Sequence, residues 1–205
     1  MIKTVSILHE ELKNYSNIKS KIQSLCSRGD LYPLVRNRGL YETDGSLPGY
    51  CLALIINGPS YLSFEFAMSR YGLIPEAVYA FTSATFETGK KKTYTNHFGT
   101  FTYRDVPADV FPLEVEAYTE KGYRYLLASP EKAICDKLYE LPPCRNRVEL
   151  SAMLFDDLRI DEDAFGGLDS DKLFELAGHY RCTNHRILRS LIRKDVSDAC
   201  FGSNV

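Results

Sequence analysis

The chain has 205 residues, 44% of them hydrophobic and 25% charged, with a net charge of −2. That length allows one generous domain or a small module joined to a larger one, and the composition excludes a disordered or fibrous chain. No run of about 18 apolar residues occurs, which argues against a spanning helix.

The N-terminal stretch MIKTVSILHEELKNY mixes acids and lysines with its apolar residues and reads as neither signal peptide nor anchor. The six cysteines (Cys26, Cys51, Cys135, Cys144, Cys182 and Cys200) are irregularly spaced and contain no C-x-x-C pair. Reduced, mostly buried thiols in a cytoplasmic chain are therefore expected. On that reading the RGD tripeptide at Arg28–Asp30 has no adhesive role.

Charge is unevenly shared. Residues 1–45 carry seven basic and five acidic side chains, a net +2, and the remainder carries 18 basic and 22 acidic, a net −4. A basic head on an acidic body is compatible with a nucleic-acid-binding module.

In chain order, Val5, Leu8 and Leu12 predict a first helix over 3–13. After NYSN, Ser16 or Asn17 is placed to cap a second helix, whose Ile18, Ile22, Leu25 and Cys26 form one apolar stripe. The opposite face holds Ser20, Gln23, Ser24 and Ser27, flanked by Lys19, Lys21 and Arg28, and it is free of acids. Short polar side chains there can approach base edges while the cations meet phosphates. A plain solvated helix face fits the same pattern.

Gly29 ends the helix as a left-handed cap. LYPLV and GLYE then read as extended runs around RNR, with Gly39 free to take positive φ and Pro33 on an edge strand. Helix, turn, helix and a hairpin tipped by Arg36 and Arg38 predict a winged-helix module over 1–45. The tip arginines would reach for backbone or minor groove. Only two helices fit before the wing, where the usual module has three.

TDGSLPGY at 43–50 is the expected boundary. A larger mixed α/β domain is expected over 46–205, strand-rich to about residue 128 and helical over 129–194, so the fold class is α+β. CLALIING reads as a buried strand. Ser63 reads as the cap of a helix with Phe66, Ala67 and Tyr71 inward, ended by Gly72. Strands follow at 77–83, 113–119 and 123–129, with a hairpin over 93–106 turning near Asn96–Gly99. Ser129-Pro130-Glu131 opens a helix with a hydroxyl cap, a proline at the first position and an acid in the first turn. RVELSAMLFDDLRI, SDKLFELAGHY and TNHRILRSLIRKD continue as helices.

The ordered set SNIKSKIQSLCSRGDLYPLVRNRGLYE, GPSYLSFEFAMSRYGLIPE, FGTFTYRDV and LASPEKAICDKLY resembles the AbiEi-type antitoxins of bacterial abortive-infection toxin–antitoxin systems, across residues 15–140. The resemblance implies a winged-helix head that binds operator DNA and represses its own operon. It also implies a larger domain that counters a nucleotidyltransferase toxin, without requiring a stable complex with it. The tail after about residue 145 matches no family motif. Operators built as inverted repeats would engage a dimer or two monomers.

Other clusters point less clearly to chemistry. Ser60, Ser63, Glu65 and Arg70 lack a base placed beside either serine, and they read as a capped core helix with a solvent-facing Glu65–Arg70 edge. Glu131, Lys132, Asp136 and Lys137 read as surface charge support. His179, Cys182 and His185 form H-x-x-C-x-x-H without the second short pair that a tetrahedral site normally shows, so no metal is expected. Arg186, Arg189 and Arg193 line one helix face, a possible second basic surface for DNA or another chain. No cofactor, catalytic residue or membrane partner is expected. The competing functions are a nucleotide- or RNA-handling enzyme whose head positions substrate, and an adaptor that neutralises a partner by direct contact.

Overall fold

The computed structural model describes residues 1–36 and 38–201, with side chains described as far as Ile192. Among them, no helix is long and apolar enough to cross a membrane. The fold is mixed α+β, with one three-stranded and one six-stranded sheet.

The first element is a strand, β1 (Ile2–Thr4), and helix α1 begins only at Val5 and runs to Glu11. The helix expected over 3–13 is therefore shorter and starts later. Ile2, Lys3 and Thr4 pair antiparallel with Glu42, Tyr41 and Leu40, and the Thr4 hydroxyl accepts from the Ile7 amide at 3.3 Å. Strand pairing of β-branched residues and a threonine cap together move the helix start.

Helix α2 (Ile18–Arg28) is capped by Asn17, whose side chain accepts from Ser20 N at 2.9 Å, and it ends at Gly29 with φ +76°. Strands β2 (Tyr32–Val35) and β3 (Leu40–Glu42) follow, giving the order β1-β3-β2 with Pro33 on an edge strand as its missing donor requires. Leu8, Ile22 and Leu31 form a small head core, whereas Leu34 and Val35 belong to the main core.

CLALIING is not a strand. It forms a 3-10 turn (Gly49–Leu52) running into helix α3 (Ala53–Ile56). An unbroken apolar run carries no period that separates strand from buried helix. Next come β4 (Tyr61–Leu62) and α4 (Phe64–Arg70), then β5 (Ala80–Thr85), β6 (Lys92–Asn96) and β7 (Gly99–Asp105), and finally β8 (Val115–Glu120) and β9 (Tyr123–Ala128). The sheet order is β6-β7-β5-β4-β9-β8, with β5–β7 and β4–β9 parallel and the other pairs antiparallel. The expected hairpin is β6–β7, closed at Asn96–Gly99.

Adjacent residues of β7 point to opposite faces of the sheet. Tyr103 donates its hydroxyl to the Ala53 carbonyl at 2.7 Å on the α3 side. Arg104 pairs on the other side with Glu65 of α4 and with Glu140 of α5 (Pro130–Glu140). The chain ends in α6 (Arg147–Ala152), a π-turn, α7 (Glu162–Gly166), α8 (Ser170–His179) and α9 (Thr183–Phe201).

Three expectations about the body fail here. Tyr71 is exposed rather than inward, because it falls at the C-cap of α4. Of the Glu65–Arg70 edge, Arg70 is exposed as expected, but Glu65 is not left to solvent. Glu65 accepts from Lys137 at 2.6 Å and pairs with Arg104, while the Arg70 guanidinium lies 5.2 Å from the Tyr50 ring. The Glu65 carboxyl is pulled down to about 2, because the Arg104 and Lys137 hydrogen bonds and charges outweigh the upward push of burial.

The third failure concerns Lys132 and Asp136, read as surface charges but wholly buried. Asp136 accepts from Tyr61 at 2.9 Å, from Ser63 at 2.6 Å and from Tyr180. Lys132 donates to the Val110 carbonyl at 2.7 Å and to the Tyr180 oxygen at 2.6 Å. Ser63 thus spends its hydroxyl on Asp136 instead of capping α4. Burial lowers the Lys132 pKa, and Asp136 opposes that shift.

Removing one partner of such a pair strands the other charge in the core. Lys132→Met is expected to cost about 3–5 kcal/mol in urea unfolding, and Lys132→Met/Asp136→Leu to recover part of that loss. A Lys132→Met protein within about 1 kcal/mol of the parent would contradict the buried pair.

Candidate nucleic-acid interface

On α2 the apolar stripe turns Ile22 into the head core, and Lys19, Ser20, Gln23, Ser24, Ser27 and Arg28 are exposed on the outer side. Lys21 is half-buried, with its ammonium 4.6 Å from the Tyr15 ring centroid. The first turn of α2 holds no acid, and its leading N–H groups have no intrahelical acceptors. The sequence-predicted residues of this helix therefore do share one surface.

The surrounding charges sort themselves. Glu10 pairs with Lys13 at 2.6 Å, Glu11 with Lys3 at 2.6 Å, and Asp30 with Arg28 at 2.7 Å. Reading the sequence as a charge count missed these pairs, although the i,i+3 spacing of Glu10 and Lys13 was a usable signal. What stays without an acidic partner among the described residues is Lys19, Lys21, Arg36 and Arg38.

The two tip arginines part company. Arg36 is exposed. Arg38 turns back onto the body, donating to the Ile56 carbonyl at 3.1 Å and the Tyr94 hydroxyl at 3.3 Å. Gly39 follows at φ +61°, with its carbonyl accepting from Val5 N at 2.9 Å; a Cβ there would fall 2.3 Å from a Val5 methyl. Both arginines are exposed, but Arg38 spends guanidinium donors on the body and Arg36 does not.

Further contacts fasten the head to the large sheet at its β6 edge and at β9. Near β6, Asn96 donates to the Leu34 carbonyl at 2.8 Å, and the His97 ring lies 4.3 Å from that of Tyr32. Near β9, the buried Glu42 carboxylate accepts from Tyr123, from the amides of Thr43 and Asp44, and from the Met1 amine. Burial pushes the Glu42 carboxyl up, but the hydrogen bonds from the Met1 amine, Tyr123 and the two amides prevail and hold it below its ordinary 4.5.

No protein-family model matches the chain, and no curated protein matches it either.

The other singled-out residues lie elsewhere. Arg186 is exposed on α9, Arg189 is half-buried over Phe174, and the Arg193 side chain lies outside the described residues. Arg181, which the sequence reading did not single out, lines one cavity with Arg186 and Arg189. It falls just before α9 and so escapes a helical-face count. Cys182 Sγ lies 2.7 Å from His185 Nδ1, whereas His179 borders a different cavity.

Because the folded Glu42 value lies below 4.5, its stabilisation is complete above that pH and is lost as pH falls through the folded value. Thermal melts of the parent and Glu42→Gln should therefore differ most near neutral pH and converge in acid. A difference that grows on acidification would refute the assignment.

Proposed function

We propose that the chain is a DNA-binding autoregulator and antitoxin, with α2 and the Arg36 turn as its contact surface. The observation that carries this reading is the outer face of α2, which holds no acid of its own and where Ser20, Gln23 and Ser24 stand between Lys19 and Lys21, with Arg28 at its end paired to Asp30. A helix with short polar groups at its centre and cations at its margins can enter a major groove, with the cations on the phosphate rails. The first amides of α2, at Ile18 and Lys19, precede the Ser20 amide that Asn17 caps and add N–H donors suited to a phosphate oxygen.

The connectivity supports a reduced winged-helix reading. A strand, two helices and a hairpin occur in that order, and the first strand lies beside the last. The third helix of the usual module has no counterpart, and the body supplies packing in its place through Leu34, Val35 and Arg38.

The antitoxin half of the proposal rests on the resemblance to AbiEi-type antitoxins. In this reading the body counters a nucleotidyltransferase toxin encoded nearby, and the head sets how much of both proteins is made.

A mobility-shift titration on the duplex upstream of the chain's own gene tests the DNA half. Affinity should fall steeply with salt, and Lys19→Glu or Arg36→Glu should each flatten the logarithmic salt slope by about one. Arg38→Glu should act mainly on thermal stability. Absence of retardation at low salt would reject the proposal, and a rescue of growth on co-expression with the neighbouring toxin tests the antitoxin half separately.

A further inference from the structure

Between α8 and α9 the chain turns through Tyr180–Cys182, and Arg181 is held there at φ +22°, a conformation that costs a non-glycine residue energy. The turn closes one end of a cavity of about 500 Å³. Arg181, Arg186 and Arg189 all line it, and none of its lining residues is acidic. Among the described residues, none of the three arginines forms an ion pair.

Arg189 is the best placed. Its guanidinium carbon lies 4.1 Å over the Phe174 ring centroid, and its Nε is buried without a hydrogen-bond partner. Gly178 lines the cavity beside it, and a Cβ there would fall 3.4 Å from the guanidinium carbon, ordinary contact distance. A guanidinium held over a ring face by its carbon still carries N–H donors, and a fork of that kind matches two phosphate oxygens. The first turn of α9, beginning at Thr183, borders the same space and adds N–H groups without intrahelical acceptors.

We propose that this cavity binds a phosphorylated small molecule of nucleotide size, with its phosphate held by Arg181, Arg186 and Arg189. Three uncompensated cations around one concavity call for an anion of more than one charge. The volume lies within the range of about 300–1,000 Å³ usual for small ligands. A duplex backbone fits less well, because Arg189 is half-buried in a corner between helices. The site is separate from the α2 surface, and the inference does not depend on DNA binding by the head.

A reporter stands at the mouth of the cavity. His185 Nε2 meets the Cys135 carbonyl at 2.9 Å, so that nitrogen carries the hydrogen and Nδ1 accepts the Cys182 thiol proton. The imidazole stacks on Tyr180 with centroids 4.2 Å apart, which fixes the thiol position. Cys182 and, on α2, Cys26 are half-exposed, whereas Cys51, Cys135 and Cys144 are buried.

The test follows alkylation of Cys182 by iodoacetamide, read peptide by peptide by mass spectrometry on the full chain at constant ionic strength. Inorganic phosphate and AMP should slow the reaction saturably, AMP at the lower concentration, and chloride should not. In Arg186→Gln/Arg189→Gln the half-protecting concentration should rise by about tenfold or more. Arg186→Gln alone, at an exposed position, gives the same readout with a smaller rise should the double variant fail to fold. No saturable protection up to about 10 mM ligand, or protection unchanged in the variants, overturns the proposal. Protection by a short DNA duplex but not by phosphate or AMP also overturns it, in favour of a nucleic-acid surface.

Discussion

A lysine ammonium and an aspartate carboxylate, both cut off from water, sit where the body's elements meet. Lys132 and Asp136 lie one turn apart on α5, and neither is left to the other alone. Tyr61 and Ser63 reach Asp136 from β4 and the start of α4, Tyr180 reaches it from the end of α8, and Val110 offers its carbonyl to Lys132. Burying two charges is unfavourable unless each finds several polar partners, and here those partners come from four separate parts of the chain. Such a cluster constrains geometry more than it adds stability, because only one arrangement of β4, α5 and α8 satisfies every group. Tyr180 passes the constraint outward through its stack on His185, which sets the corner before α9.

The head depends on the body in a different way. Its own core is small, centred on Leu8, Ile22 and Leu31, and a module of that size gains little from burial alone. Glu42, Arg38 and Asn96 bind its hairpin to the large sheet at its β6 edge and at β9. An arginine expected at a free tip thus serves as a clamp. The consequence for function is a division of labour in which the hairpin holds the head and α2 faces outward.

Local signals were legible in the sequence. Asn17, Gly29, Gly39, the alternation of TYTNHFGTFTYR and the Ser-Pro-Glu helix start each depend on a few neighbouring residues, and each recurs in the structure. Long-range choices were not. Nothing near Arg38 announces that its acceptors are the Ile56 carbonyl and Tyr94. Lys132 and Asp136 look like an exposed pair until Ala133, Ile134, Cys135 and Leu138 are seen to make that helix apolar on more than one side, a pattern that marks burial. CLALIING misled for the opposite reason, since a wholly apolar run carries no period to read.

Amide hydrogen exchange of the full chain with and without the upstream duplex tests the proposed contact of α2 with DNA most directly. Slowed exchange confined to α2 and the turn between β2 and β3 is the predicted footprint. A bound complex whose protection falls on α8 and α9, with α2 unchanged, would contradict it.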